Sequence, residues 1–226
     1  RVLERMVAAI VWRTYAQSGL EEMAAGTTVP VINSLSDDFH PCQLLADLLT
    51  IREHKGSLAG LTVTFVGDGG SNMAQSYALA GATAGMHVRI ACPETFKPGA
   101  SVVGDARAIA EKTGGSIAVL HQLDDAVVGS DVVVTDTWVS MGKEEEKAER
   151  VATFGPFQVG APAMALAKDD AIFLHCLPAD RGFEVTPEVI DGPQSVIWDE
   201  SENRLHAQKA LMVWLLERAE SSTSRR

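Results

Sequence analysis

Short apolar segments rich in β-branched residues alternate with amphipathic segments over most of the chain. Six strands are predicted in its middle and C-terminal parts, at Leu61–Val66, Val88–Ala91, Ser116–Leu120, Val132–Thr135, Ile172–His175 and Val196–Asp199. Helical patterns lie between them, at Asn72–Ala84, Val102–Thr113, Glu144–Ala152 and Pro162–Lys168. Apolar strands that are each followed by a helix are typical of a parallel sheet covered on both faces. The pattern therefore predicts an α/β fold with a doubly wound parallel sheet over residues 55–203.

A smaller unit precedes this sheet. Ala9–Trp12 and Val29–Ile32 are predicted strands on either side of a helix near Gly19–Ala25. One βαβ unit cannot bury both of its faces, so residues 1–40 need packing partners that this unit does not supply.

Two further helices flank the predicted sheet. The first is a linking helix over residues 41–54, and Pro41 suits its first position, which makes His40 the cap. Its predicted apolar stripe consists of Leu44, Leu45, Leu48, Leu49 and Ile51. The second lies within residues 204–220 and is predicted to pack back on the first unit. Its predicted apolar positions include Leu205, Leu211, Leu215 and Leu216. Residues 221–226 are predicted to form a disordered tail.

Charge and cysteine content narrow the function classes. The chain has 30 Asp plus Glu against 19 Lys plus Arg, and its net charge of −11 disfavours nucleic acid as a partner. A small anionic substrate stays possible, because a few focused cations can outweigh the global charge. Three cysteines without CxxC or CxxH spacing argue against a disulfide framework and against a zinc or other metal site. They favour the reducing cytoplasm, and no apolar run is long enough for a membrane span.

Candidate site residues follow the predicted strands, where ligands bind in open α/β sheets. Six such residues carry useful chemistry: Arg13, His40, Asn72, Asp136, Cys176 and Arg204. Structural interpretations remain open for several of them. His40 and Gln43 at a helix start can bind an anion or simply cap the helix. Asp136 can hold an ammonium group or cap a helix, and Cys176 can be a small buried apolar residue. No Ser-His-Asp set is evident, so nucleophilic catalysis is not implied.

A glycine-rich segment after the first strand of the large sheet resembles a dinucleotide fingerprint. In the sequence VGDGGSNM, Gly67 and Gly69 fit the G-x-G-x-x-G pattern, but Asn72 occupies the third glycine position. The next strand has no acidic residue at its end to hold a ribose. An NAD(P)-dependent oxidoreductase is therefore kept as an alternative, while a tight turn into a helix explains the glycines without a cofactor.

Six motifs, in order and spacing, resemble the transcarbamylase family. They are WRTYAQ, FHPCQ, GDGGSNM, DTWVSMG, HCLP and ENRLHAQKA, and together they span almost the whole chain. HCLP together with DTWVSMG resembles the ornithine branch rather than the aspartate branch. The resemblance implies an ornithine-binding domain over residues 55–203 and, in residues 1–40, the C-terminal part of a carbamoyl-phosphate domain. It also implies a homotrimer, and no metal or organic cofactor is required.

The resemblance implies roles for individual residues. Carbamoyl phosphate would be bound by Arg13, Gln17, His40, Gln43, Cys176, Leu177 and Arg204. L-Ornithine would be bound by Asn72, Asp136, Ser140 and Met141. Arg13, His40 and Cys176 would be the catalytic residues, with Arg13 and His40 near the carbonyl oxygen. The implied reaction moves a carbamoyl group to the side-chain amine of ornithine, giving L-citrulline and phosphate in arginine metabolism.

Two departures from the family pattern bear on activity. Ser71 stands where family members often have Asn, and no Ser-x-Arg-Thr phosphate loop lies upstream of Arg13. We therefore expect these residues alone to bind carbamoyl phosphate poorly and to be nearly inactive. A non-catalytic interaction fragment is the second alternative, and the intact Arg13, His40, Asp136 and Arg204 argue against it.

Overall fold

The first forty residues form a small two-stranded unit. The computed structural model describes residues 1–139 and 144–223. Strands β1 (Ile10–Arg13) and β2 (Val31–Leu35) are parallel and are connected by helix α1 (Gln17–Ala25). The sheet stays open to solvent on one side, because Val11 is 58% exposed and Tyr15, just beyond β1, is 81% exposed.

A five-stranded parallel sheet forms the larger part of the molecule. Its strands are β3 (Thr62–Val66), β4 (His87–Ala91), β5 (Ser116–Leu120), β6 (Val132–Thr135) and β7 (Ile172–His175). They lie in the order β5-β4-β3-β6-β7, and every pair is parallel. The predicted doubly wound α/β fold is thereby confirmed. The strand order reverses between β3 and β6, and such a reversal is where open sheets bind ligands.

Helices cover both faces of this sheet. In chain order they are α2 (Pro41–Lys55), α3 (Asn72–Thr83), α4 (Ala100–Thr113), α5 (Leu123–Val127), α6 (Lys147–Phe154), α7 (Ala161–Met164), α8 (Pro187–Ile190) and α9 (Ile197–Thr223). Side chains alternate between the faces along each strand. Phe65 and Val134 join an apolar cluster with α3 and α4, whereas Val133 and Phe173 join another with α5, α7 and α8.

The linking helix α2 packs along the last helix through buried polar contacts. The amide of Asn203 in α9 donates to Thr50 Oγ1 at 2.9 Å and to Glu53 Oε2 at 2.7 Å. At the end of α2, His54 Nε2 lies 2.7 Å from Asp199 Oδ2. These contacts hold α9 against α2.

The predicted strand Val196–Asp199 is wrong. The chain runs beside β7 only as far as Val196, whose backbone N–H donates to the Phe173 carbonyl at 3.0 Å. The backbone N–H of Glu200 then donates to the Val196 carbonyl at 3.0 Å, which starts the helix. Arg204 therefore lies within α9 rather than beyond a strand.

Two predicted apolar stripes are also wrong in part. Leu45 of α2 is 39% exposed and Leu205 of α9 is 67% exposed. Gln43 and Asp47 of α2 are buried instead, at 1% and 0% exposure. The side of α2 that is turned inward therefore carries polar groups, and they contact α9.

None of the helices in the described ranges is both long and apolar enough to cross a membrane.

Candidate functional site

His40 caps the start of α2 and is almost fully buried, at 8% exposure. Its backbone N–H donates to Ser76 Oγ of α3 at 2.8 Å, whereas its ring Nδ1 has no hydrogen-bond partner. Burial, and then the charges of Arg204 and Arg13, lower the pKa of His40 to about 4. The ring is therefore neutral near pH 7. The charges of both arginines thus act on the ring of His40.

Gln43 and Arg204 are in direct contact. Gln43 lies in the first turn of α2 and donates its amide N–H groups to Asp47 Oδ1 at 2.8 Å and Glu200 Oε1 at 3.1 Å. Its amide oxygen accepts from Arg204 Nη1 at 2.5 Å. The acids thus set the orientation of the amide, and the amide holds the guanidinium near the helix start. A guanidinium group at a helix start, where the helix dipole is positive, favours an anion.

Gln17 and Asn72 contact the same residue from two sides. The side-chain oxygen of Gln17 accepts from Ser36 Oγ at 2.8 Å and from Asn33 Nδ2 at 3.1 Å. Asn72 Nδ2 donates to the Ser36 carbonyl at 3.0 Å. Both predicted ligand residues therefore hold the segment between β2 and α2, and in Asn72 this contact spans the two parts of the molecule.

Ser71, the departure from the family pattern, caps α3. Its side-chain oxygen accepts from the backbone N–H of Ala74 at 3.2 Å. Serine is among the residues that cap helices best. The substitution therefore preserves the start of the helix on which Asn72 lies.

Asp136 and Cys176 meet where β6 and β7 end side by side. Asp136 Oδ1 accepts from the backbone N–H of Thr137 at 2.7 Å and from the Cys176 thiol at 3.2 Å. Burial raises the pKa of the Asp136 carboxyl, and burial together with the charge of Asp136 raises the pKa of Cys176 well above its usual value. Cys176 is therefore a neutral thiol that donates a hydrogen bond. Because the thiolate is the nucleophilic form, this environment does not activate Cys176 as a nucleophile.

The turn after β7 is held by a buried histidine. Leu177 has a φ of 55°, in the left-handed region, and its backbone N–H donates to His175 Nδ1 at 2.9 Å. His175 Nε2 lies 3.2 Å from Glu184 Oε1, and both side chains are fully buried. Since Nδ1 accepts a hydrogen bond, the ring proton of the neutral form is on Nε2 and is donated to Glu184. This pair fixes the backbone of Cys176 and Leu177.

The same corner contains three residue types that can bind metals. Ligand atoms of Asp136, His175 and Cys176 all lie within 4.8 Å of one another. However, both ring nitrogens of His175 are engaged in the contacts described above, and burial keeps the Cys176 thiol protonated. A metal would have to displace these bonds and the thiol proton, so the arrangement favours hydrogen bonding over metal binding.

The glycine-rich turn after β3 is explained by packing. A Cβ atom at Gly69 would lie 2.6 Å from the Phe96 carbonyl oxygen and 2.8 Å from Cys92 Sγ. Only glycine fits so close to another segment of the chain. The turn therefore needs glycine at this position whether or not a dinucleotide binds.

One chain of hydrogen bonds connects the two predicted sets of ligand residues. It passes from Arg204 to Gln43 and on to Glu200, whose Oε2 accepts from the backbone N–H of His175 at 2.8 Å. His175 directly precedes Cys176, which contacts Asp136. The sequence analysis missed Glu200 and its neighbour Asp47. For Asp47 a signal existed, because it lies four residues after Gln43, on the same side of a helix.

Not every predicted residue enters this network. Arg13 is exposed at the end of β1 and is linked to His40 only through the effect of its charge. Ser140 and Met141 lie outside the described residues.

Two family models match the chain. The aspartate/ornithine carbamoyltransferase carbamoyl-P binding domain matches residues 1–53, and the Asp/Orn binding domain of that family matches residues 59–215. The chain is 73% identical over 216 residues to the ornithine carbamoyltransferase of Clavibacter sepedonicus, covering 96% of this chain and 70% of the relative. The enzyme of that name from Renibacterium salmoninarum is 67% identical over 219 residues, which cover 97% of this chain and 70% of the relative.

Solved structures of similar proteins have the same two-domain fold. The ornithine carbamoyltransferase from Pyrococcus furiosus superposes with a TM-score of 0.90 at 50% identity, over 94% of this chain and 67% of that chain. The one from Gloeobacter violaceus gives a TM-score of 0.89 at 46% identity, over 96% of this chain and 72% of that chain. By sequence, by both domain models and by fold, this chain belongs to the aspartate/ornithine carbamoyltransferase family.

Proposed function

We propose that the protein transfers the carbamoyl group of carbamoyl phosphate to the side-chain amine of L-ornithine, giving L-citrulline and phosphate. The observation that carries the proposal is the hydrogen-bond chain from Arg204 through Gln43 and Glu200 to His175. It ties an anion-binding helix start to the strand ends at which Asp136 and Cys176 meet. Two substrates bound at these two places would lie next to each other.

On the anion side, Arg13 and His40 would stabilise the carbonyl oxygen of carbamoyl phosphate. That oxygen gains negative charge as the amine attacks, and preorganised donors stabilise it. His40 is suited to this role because its ring is neutral near pH 7 and its Nδ1 is free of partners. Arg204 and Arg13 would also balance the charge of the leaving phosphate, since guanidinium groups bind its oxygens in a forked geometry.

On the amino-acid side, Asp136 would hold the α-ammonium group of ornithine, with Asn72, Ser140 and Met141 as further contacts. The attacking side-chain amine must be neutral, although its pKa in water is about 10, as for lysine. A buried setting favours the neutral amine. Cys176 and Leu177 would lie where the two substrates meet, on a turn that the His175–Glu184 pair fixes.

The reaction needs little beyond this placement. The amine nitrogen forms a bond to the carbamoyl carbon, the bond from that carbon to the phosphate oxygen breaks, and the departing phosphate takes up the proton that the nitrogen loses. Holding two reactants together in the right orientation can supply much of the rate. The proposed mechanism uses only side chains and backbone groups of the protein.

In these 226 residues, the phosphate group of carbamoyl phosphate has only the two arginine contacts proposed above. The family resemblance implies a Ser-x-Arg-Thr loop, and no such pattern lies upstream of Arg13. We infer that a polypeptide of these residues alone binds carbamoyl phosphate poorly and turns over little. For comparison, a chimera can be made that joins these 226 residues to the part of the Clavibacter sepedonicus relative that they do not match. This chimera is called the complete chain below.

Location and assembly complete the proposal. A cytoplasmic location is supported by three cysteines that are all free. A homotrimer follows from the family resemblance, and light scattering on the complete chain measures it.

The proposed reaction is tested by assaying L-citrulline formed from carbamoyl phosphate and L-ornithine by the complete chain. L-Aspartate in place of ornithine is the matched control, because it offers an α-amine and no side-chain amine. Citrulline formation without carbamoylation of aspartate supports the proposal. Equal carbamoylation of both amino acids, or of neither, contradicts it.

A further inference from the structure

Two acidic side chains lie together in the interior between α2 and α9. Asp47 is 0% exposed and Glu200 is 1% exposed. Their oxygens accept from the Gln43 amide at 2.8 and 3.1 Å, from the Tyr77 hydroxyl at 2.7 Å and from the His175 backbone N–H at 2.8 Å. Within the described part of the chain, neither acid forms an ion pair with a Lys, Arg or His residue.

Such a pair is expected to keep a proton. Two buried carboxylates without a cation between them repel each other strongly, and one retained proton removes most of that repulsion. Burial raises the pKa of Asp47 to about 6. Burial, followed by the charge of Asp47, raises the pKa of Glu200 well above its usual range. The pair is therefore expected to retain one proton between its two carboxyl groups.

We propose that Asp47 and Glu200 form a proton-sharing pair that positions Gln43 and Arg204 for carbamoyl phosphate, an inference that rests on the proposed function. The pair accepts both N–H groups of the Gln43 amide, which leaves the amide oxygen turned toward Arg204. Glu200 also holds the backbone N–H of His175, one residue before Cys176. Both acids act through other residues, so they are positioning residues rather than catalytic ones.

The groups around the pair have shifted pKa values of their own. The charged and titratable side chains that act on it are Tyr77 of α3, Cys176 after β7 and Arg204 of α9. His40, at the start of α2, is affected by the charge of the same Arg204. The pKa of His40 is lowered to about 4, and burial raises the pKa of Tyr77 and of Cys176 well above their usual values. The charge of Asp136 acts on Cys176, and burial raises the pKa of Asp136 itself.

The proton itself can be observed by infrared spectroscopy. A protonated buried carboxyl has a C=O stretching band that is separate from the carboxylate bands. The wild-type protein should show this band at neutral pH. Glu200→Gln should lose it, because the amide N–H donates to Asp47 in place of the proton. Glu202→Gln is the matched control: it makes the same change on the same helix, at an exposed side chain, and should keep the band.

Kinetics of the complete chain test the positioning role. With ornithine saturating, the wild-type KM for carbamoyl phosphate should rise from neutral to alkaline pH as the shared proton leaves. In Glu200→Gln the KM should stay flat over this range, at most about threefold above the neutral wild-type value. In Glu200→Ala it should rise about tenfold at every pH, because buried donors lose their acceptor.

Three results would overturn the inference. One is a carboxyl band that persists in Glu200→Gln. Another is a KM in Glu200→Gln that follows the wild-type dependence on pH. The third is an unchanged KM in Glu200→Ala. Failure of the wild-type chain to form citrulline would instead count against the proposed function, and the infrared comparison would still decide whether the pair shares a proton.

Discussion

The two parts of the molecule position their strand-end residues in different ways. Arg13 ends β1, a strand in an open two-stranded sheet, and its side chain is exposed. Asp136 follows β6, whose four residues are all buried and which lies between β3 and β7 in the five-stranded parallel sheet. The large sheet therefore presets its half of the candidate site. The small unit does not, and the order on that side comes from His40, Gln43 and Arg204 at the meeting of α2 and α9.

This difference predicts that Arg13 contributes to the reaction rather than to folding. In the complete chain, Arg13→Ala should lower kcat about 10²- to 10³-fold, the usual effect of removing a donor to a developing oxyanion. The unfolding temperature should stay the same, because the side chain is exposed. A large loss of stability with unchanged kcat would make Arg13 a structural residue.

A second prediction concerns α2, which joins the two parts. Leu44 is 2% exposed, whereas its neighbour Leu45 is 39% exposed. Leu44→Ala should lower the free energy of unfolding by about 3 kcal/mol, and the matched Leu45→Ala by less than about 1 kcal/mol. Denaturant titration of both variants measures the difference. Equal losses would mean that Leu45 is also buried in the protein as it exists in solution.

A third prediction tests the preset half of the site. Asp136→Ala in the complete chain should raise the KM for ornithine about 30-fold, because the α-ammonium group loses a charged partner. The KM for carbamoyl phosphate should change less than threefold. Asp105→Ala, at an exposed position on α4, is the control and should change neither constant. An equal rise of both constants in Asp136→Ala would contradict the division of roles.

The smallest predicted effect concerns helix α4, which packs on the large sheet. A Cβ atom at Gly104, within α4, would meet no atom within 4 Å. Gly104→Ala should therefore raise the free energy of unfolding by about 0.5 to 1 kcal/mol, since alanine favours helix. Gly114 ends the same helix with a φ of 82°, so Gly114→Ala should destabilise the protein. If both variants are destabilised, the packing around α4 differs from the one described.

The elements whose structure depends on residues nearby in the sequence could be predicted from the pattern of apolar and polar positions. The strands β5, β6 and β7 have the bounds that their apolar segments predict. Val196–Asp199 misled because the segment is extended beside β7 only up to Val196, after which a helical hydrogen bond begins. A pattern of apolar residues does not show where such a turn takes place.

The candidate site was predicted less completely, because its key contacts join residues that are far apart in the chain. Gln43 and Glu200 are separated by 157 positions, and no local pattern brings them together. Leu45 and Leu205 were expected to be inside for the same reason, since only the neighbouring element decides which side of a helix is covered. Contacts of this kind follow from the complete fold.

The state of His40 has a consequence for substrate binding. With its pKa lowered to about 4, this ring keeps the same charge through the whole range of intracellular acidity. Histidines with ordinary values gain and lose a proton in that range and so make binding depend on pH. At this position, moderate acidification of a cell would leave the proposed donor to the carbamoyl oxygen unaltered.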